Sequence, residues 1–189
     1  MRMLNNIQLS PHFSLLELTE SATARQRDIA NIPPPEAVEN LKRLCKGTLE
    51  PLRKALGLPV IITSGYRCKE LNNIVNRSSK TSQHMLGQAA DFYISSDGSM
   101  RQSRGSRFKV QCGKAAVQDS KVLGRRELLI MGFRLIILNE DIDYDQLILY
   151  PTFIHVSYVS RSKNRRKIIK ANGHGSYCTV TREAALCLS

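Results

Sequence analysis

The sequence predicts an α+β fold, a small antiparallel sheet flanked by helices, and three stretches carry that expectation. Residues 35–56 hold a long apolar stripe at helical spacing, "PVIITS" at 59–64 is a short β-branched run, and "DQLILYPTFIHVSYV" at 145–159 reads as two short strands around Pro151. At 189 residues the chain is long enough for one domain with a proper core and too short for two comfortable ones.

The elements follow in order. "FSLLELTES" places Ser14 three residues before Glu17, a capping-box spacing, which predicts a short helix packed on the outside of the domain. In "NIPPPEAVENLKRLCKGTLEPLRKALGLP" the prolines set an extended approach and a helix start, and Gly57 with Pro59 closes it. Val38, Leu41, Cys45, Leu49, Leu52 and Leu56 share one stripe, while Pro51 predicts a kink or break near Leu49. His12 and Cys45 read as parts of this framework. After the strand at 59–64, Gly65 permits a sharp turn into "GYRCKELN", with a short helix expected near 69–76. Tyr66 and Arg67 stand at that strand end, where scaffolds present functional side chains; a plain surface charge is the other reading of Arg67.

From Arg101 to Arg126 there are eight basic residues and one acid, with no steady period, which predicts a flexible basic insertion. "RRELLIMGFRLIILNEDIDY" then rejoins the core as a helix or helix–strand segment. In the final hairpin Ile154, Val156 and Tyr158 point to one face, and Phe153, His155 and Ser157 to the other. "SRSKNRRKIIKANGHGSYCTVTREAALCLS" reads as a basic peripheral helix or strand followed by a weakly ordered tail.

The bulk numbers bound the function. A hydrophobic fraction of 42% without any apolar run near ~18 residues argues against a membrane-spanning helix. The start "MRMLNNIQLSPHF" lacks the ~7–15-residue apolar region of a secretory signal, so a cytoplasmic location is expected. Five cysteines without CxxC or CxxH spacing read as reduced thiols. The net charge of +12 suits polyanionic partners, either nucleic acid or anionic cell-wall polymers. The basic runs carry no interleaved aromatics for base stacking, which counts against single-strand binding.

One stretch carries chemistry. In "SSKTSQHMLGQAADFYI" His84 and Asp91 stand seven positions apart, with Gly87, Ala89 and Ala90 between them to allow a tight return of the chain. A catalytic zinc site takes three His or carboxylate ligands and leaves a fourth position open, and His84, Asp91 and His155 could supply that set. Such a metal polarises a carbonyl and activates a water for hydrolysis. On spacing alone the signal is weak. On that ground alone a loop role for His84, a strand-end cap for Asp91 and a satisfied sheet position for His155 are the favoured readings.

The ordered motifs add a resemblance. "SGYRCKELN", then "SSKTSQHMLGQAADF", then "DQLILYPTFIHVSY" resembles the M15 family of zinc D-Ala-D-Ala carboxypeptidases and peptidoglycan endopeptidases, phage endolysins of this type included. Its pattern is SGYR, then SxHxxGxAxD, then a histidine on a late strand, met here by Ser64 to Arg67, by Ser82, His84, Gly87, Ala89 and Asp91, and by His155. The match runs over about residues 10–95 and 141–170 and fails between them.

The resemblance implies a hedgehog/DD-peptidase-like zinc peptidase fold with zinc as cofactor, held by His84, Asp91 and His155. It implies that Arg67 holds the substrate's peptide carbonyl or terminal carboxylate, with Tyr66 and Ser82 also on the substrate. Many members carry an acid three residues before the last histidine as general base; here Thr152 stands there, and a hydroxyl does not accept that proton at neutral pH. Asp145, at the head of the same hairpin, is the candidate base, with a structural turn residue as its other reading. Tyr150 and Tyr66 are candidate hydrogen-bond donors to an oxyanion.

The expected organisation is a single zinc-peptidase-like domain over residues 1–170, with a basic insertion near 97–127 and a tail over 171–189. The expected partner is a peptidoglycan stem peptide, met by a monomer that reaches the wall through a holin or another non-classical route. The competing functions are a catalytically impaired, zinc-containing cell-wall-binding module and a basic nucleic-acid-binding protein.

Overall fold

The computed structural model describes residues 7–75, 79–96, 124–171 and 176–188. The expected basic insertion near 97–127 lies outside these residues, apart from its last four. The chain opens with a two-stranded antiparallel hairpin, β1 (Gln8–Ser10) and β2 (Phe13–Ser14), then α1 (Leu15–Thr19) and α2 (Ala22–Gln26). Ser14 caps α1 as its spacing predicts, its hydroxyl accepting from the Glu17 N–H at 3.3 Å. The helix is not peripheral, however. Leu15 and Leu18 are buried in the main core, and the Leu18 carbonyl accepts from the Tyr66 N–H at 2.7 Å, so this short element supports the strand end that carries the SGYR motif.

The apolar stripe forms α3 (Pro35–Leu44), a π turn (Cys45–Leu49) and α4 (Glu50–Leu56). Leu41, Cys45, Leu49 and Leu52 are fully buried, and each buried leucine contributes roughly 1.5–3 kcal/mol relative to exposure. The interruption expected near Leu49 takes the form of the π turn. Pro51 has no N–H to offer the Gly47 carbonyl four residues back. That carbonyl accepts instead from the Asp143 N–H at 3.1 Å, while the Thr48 hydroxyl donates to the Asp143 carbonyl at 2.5 Å. The lost helix bond thereby becomes a tie to the loop before the late hairpin.

Next come β3 (Val60–Ser64), α5 (Lys69–Ile74), a 3₁₀ turn (Gln83–Leu86), β4 (Ala89–Ile94), α6 (Arg125–Leu138), β5 (Gln146–Leu149), β6 (Ile154–Ser157), β7 (Lys167–Ala171), β8 (Tyr177–Thr179) and α7 (Arg182–Leu186). Six strands form one sheet in the order β3-β4-β6-β5-β7-β8. All its pairings are antiparallel except β5 with β7. The β5–β6 hairpin turns through Pro151, closed by the Tyr150 N–H on the Phe153 carbonyl at 3.0 Å. One face of the sheet carries Ala90, Phe92, Leu147, Leu149, Ile154 and Val156 into the core, where Leu129, Phe133 and Ile136 of α6 meet them. Alternation sends Asp91, Ile148 and His155 to the other face.

The C-terminal residues differ from the loose tail expected of them. β8 pairs with β7, and Ala185 of α7 is fully buried in the main core. Among the described residues no helix is long and apolar enough to cross a membrane.

Candidate metal centre

Two local structures interlock to place His84. The 3₁₀ turn starts at Ser82, whose hydroxyl accepts from the His84 N–H at 3.4 Å, and ends at Gly87 with a left-handed φ of 68°. A Cβ on Gly87 would stand 2.3 Å from the Ala37 carbonyl oxygen, so the turn packs directly on the α3 backbone. Asn40 of α3 holds it there, its side-chain amide donating to the Leu86 carbonyl at 2.9 Å. The SGYR loop closes from the other side. Its Arg67 N–H donates to the His84 carbonyl at 3.2 Å, and the Gly65 carbonyl accepts from His84 Nδ1 at 2.7 Å. Gly65 must be glycine for the same kind of reason as Gly87: a Cβ there would lie 2.2 Å from the Leu18 carbonyl oxygen.

That carbonyl fixes the chemistry of the ring. A carbonyl oxygen accepts only, so His84 Nδ1 carries the proton and Nε2 presents a lone pair. Asp91 and His155 come from directly opposed positions on β4 and β6, which brings their side chains together on the sheet face away from the core. His155 Nδ1 lies 2.7 Å from Asp91 Oδ1, and His84 Nε2 lies 3.3 Å from His155 Nδ1 and 3.4 Å from Asp91 Oδ1. Ligand atoms of a tetrahedral zinc with bonds of ~2.0–2.1 Å stand about 3.3 Å apart, which two of the three separations match. Among the described residues these three form the one group of His, Cys, Asp and Glu side chains able to hold a metal ion.

The protonation states suit a cation. Burial pushes the His84 imidazole pKa down, which favours the neutral ring a metal needs. Burial alone would raise the Asp91 carboxyl, but the His84 and His155 rings outweigh it and hold that carboxyl well below the usual range. One ionised carboxylate, half-buried, and one buried imidazole lone pair, both turned towards His155, fit a divalent metal of the zinc type.

Arg67 stands beside the group. Its Nη2 donates to the Ser82 hydroxyl at 3.3 Å, and its buried Nε has no hydrogen-bond partner among the described residues. Ser82 therefore orders both Arg67 and the His84 turn. Tyr66 differs from the expected substrate contact: it is 7% exposed and belongs to the main core.

Asp145 also departs from the part of a free base. It is 1% exposed. One carboxylate oxygen accepts from the Arg165 N–H at 2.8 Å and from Arg165 Nε at 2.9 Å, and the other accepts from Gln83 Nε2 at 2.9 Å and from Arg165 Nη2 at 2.5 Å. Burial opposes its ionisation, but the Arg165 bonds prevail and hold the carboxyl down at about 2. Such a carboxylate is a poor proton acceptor at neutral pH, and the contacts favour the structural reading. Through Gln83 it braces the residue next to His84.

Three contributors escaped the sequence reading. Asn31 donates to the Thr19 and Tyr66 carbonyls and accepts from the Cys68 N–H, clamping the SGYR loop, and no local pattern marks it. Gln83 and Arg165 were equally silent, because their role exists only where 3₁₀ turn, hairpin and basic run meet.

Comparison with known proteins identifies a family. The Peptidase M15 family model matches residues 11–121, more than half of the chain. The match holds SGYR, His84 and Asp91, continues past the point where the motif resemblance fades, and ends before His155. No curated protein and no solved structure matches the chain. With both early motifs inside the matched residues, and their His84 and Asp91 meeting His155 in space, the chain belongs to the peptidase M15 family, typically zinc-dependent peptidases of cell-wall type.

Proposed function

We propose that the chain is a zinc-dependent peptidase that hydrolyses peptide bonds of peptidoglycan stem peptides, as a D-Ala-D-Ala carboxypeptidase or an endopeptidase. The observation that carries this reading is the convergence of His84 Nε2, Asp91 Oδ1 and His155 Nδ1 on one sheet face, with the Arg67 guanidinium beside them. Zinc bound by these residues supplies Lewis acidity for the scissile carbonyl and for an attacking water. The protein's own part is to hold the parts still. Gly65 keeps the proton of His84 on Nδ1, Asp91 stays ionised, and Ser82 steadies Arg67, whose guanidinium suits a substrate carbonyl or terminal carboxylate.

A second reading is a wall-binding module with impaired catalysis. Thr152 in place of an acid favours it, together with the commitment of Asp145 to Arg165 and Gln83. One experiment separates the two. Zinc-loaded protein, at about one zinc per chain, is incubated with purified sacculi and the new amino and carboxyl termini are counted. The peptidase releases termini and loses both zinc and activity on His84→Ala. Binding to sacculi with no new termini supports the module and overturns hydrolysis.

The basic charge fits an anionic wall. In the run "RSKNRRKIIK", however, Arg161, Arg165 and Arg166 pair with Asp143 or Asp145, which among the described residues leaves Lys163, Lys167 and Lys170 as the cations of that run without an ion pair.

A further inference from the structure

Beyond the three ligands, the same face of the sheet carries an apolar shelf. Ile148 is directly opposed to His155 on β6 and to Ile169 on β7, and Ala171 is opposed to Tyr177 on β8. Ile148, Ile169 and Ala171 are buried as a small cluster of their own, apart from the main core, with Tyr150 packed against it. Tyr150 lies two residues beyond Ile148, so alternation sends its side chain to the face of His155 and Asp91.

The ring is fixed from two sides. Phe153 stacks on it at 4.3 Å with planes 14° apart, and Tyr177 meets it edge-on at 6.2 Å and 86°. Its hydroxyl lies 3.4 Å from the Tyr177 hydroxyl. It also lies within the electrostatic reach of both Asp91 and Arg67. The phenol is thus held near the metal centre and backed by a second phenol, a geometry that takes Tyr150 beyond the candidate role its position in the sequence suggests.

We propose that Tyr150 is a catalytic residue whose hydroxyl donates a hydrogen bond to the scissile carbonyl oxygen, and that Tyr177 positions it. This rests on the peptidase reading above and deepens it. The step moves no proton: the phenol keeps its hydrogen and offers it to the oxygen on which negative charge builds as water adds to the carbon. When the Tyr177 hydroxyl donates to the Tyr150 oxygen, the Tyr150 hydrogen is left for the substrate. Burial, then Tyr177 and Asp91, push the Tyr150 pKa well up, against Arg67, so the group stays a donor at neutral pH and is no replacement for the missing base.

The site is then spread along the chain in an instructive way. His84 and Asp91 lie inside the family match, whereas Tyr150 and Tyr177 lie beyond its end at residue 121. On this proposal the turn of the β5–β6 hairpin and β8, the latter within a stretch that reads in the sequence as peripheral and weakly ordered, complete the site.

The test uses full-length zinc-loaded protein and a stem-peptide substrate, with Tyr150→Phe and Tyr177→Phe compared to wild type. The phenylalanine variants keep the ring packing and remove one oxygen each. Loss of an oxyanion donor lowers kcat by about 100-fold or more. For Tyr150→Phe that fall is expected with KM, zinc content and melting temperature essentially unchanged. For Tyr177→Phe, kcat falls by roughly 3–10-fold, the loss expected when a neighbouring hydrogen bond of ~1 kcal/mol goes. A phosphinate analogue of the tetrahedral species should bind Tyr150→Phe more weakly by the same factor as kcat, while the product peptide binds both proteins alike. A Tyr150→Phe protein that retains kcat within about twofold, in an active wild-type background, overturns the donor role alone. A zinc-loaded wild type that binds stem peptide and cuts nothing overturns the peptidase reading and the donor role together.

Discussion

Asp91 on β4 and Asp145 at the head of β5 flank the same strand, β6, and each holds its carboxyl below the ordinary carboxylate range. Their partners make them different kinds of residue. Asp145 is matched by a permanent cation, Arg165, and by the Gln83 amide, so its charge is answered inside the protein. Asp91 faces two imidazoles, one of which presents a lone pair because Gly65 holds its proton. The first arrangement is complete, and the second asks for a cation. Burial and a lowered pKa therefore do not identify a functional carboxylate; the nature of its neighbours does.

Making one substitution at both positions tests this contrast most directly. Asp91→Asn removes a charged ligand atom and keeps the shape, and should lower peptidase activity by about 10³-fold or more together with zinc content, read by metal analysis and sacculus digestion. Asp145→Asn should leave zinc bound and lower folding stability by about 1.5–3 kcal/mol, the worth of a hydrogen bond to a charged group, read by urea denaturation. A loss of zinc in Asp145→Asn with unchanged stability would reverse the two assignments.

Acidification sharpens the same comparison. Folding lowers the Asp145 carboxyl from 3.8 to about 2, so the stability it contributes is fully present above 3.8 and is lost as pH falls towards 2. Asp91 acts in the same direction. Glu17 acts in the opposite one: burial pushes its carboxyl up to about 7, so its contribution is present below 4.5 and fades as pH rises towards 7. The urea midpoint should therefore decline on both sides of a maximum near pH 4–5 as far as these groups are concerned, and Asp145→Asn should flatten the acid limb. The smallest expected effect is at Thr152. It is exposed, and Thr152→Ala should change activity by less than about twofold, because its hydroxyl is no base at neutral pH.

What the sequence disclosed and what it hid divide along physical lines. The stripe from Leu41 to Leu52, the β-branched run at 60–64 and the hairpin around Pro151 were legible because each rests on local periodicity or turn chemistry. The grouping of His84, Asp91 and His155 was legible through ordered motifs rather than spacing. Other features depend on distant partners. α1 reads as peripheral until its Leu18 carbonyl is seen beneath Tyr66, and Tyr66 reads as a substrate contact until its ring is found in the core. β7 lies within a basic run, and its parallel pairing with β5 leaves no local signature. Asp145 was ambiguous for the same reason: Arg165, which settles its surroundings, stands twenty residues further on.

The β4–β6 ladder carries a mechanical consequence. Asp91 and His155 are 64 residues apart in the chain, and the ladder that pairs them joins stretches before residue 97 and after residue 123. Zinc held by both would act on the polypeptide as a detachable cross-link. Closing a loop of that span restricts the unfolded chain by about 4 kcal/mol on the entropic model for cross-links. Chelation would then release that cross-link as well as empty a reaction centre, tying resistance to heat and proteolysis to the supply of metal.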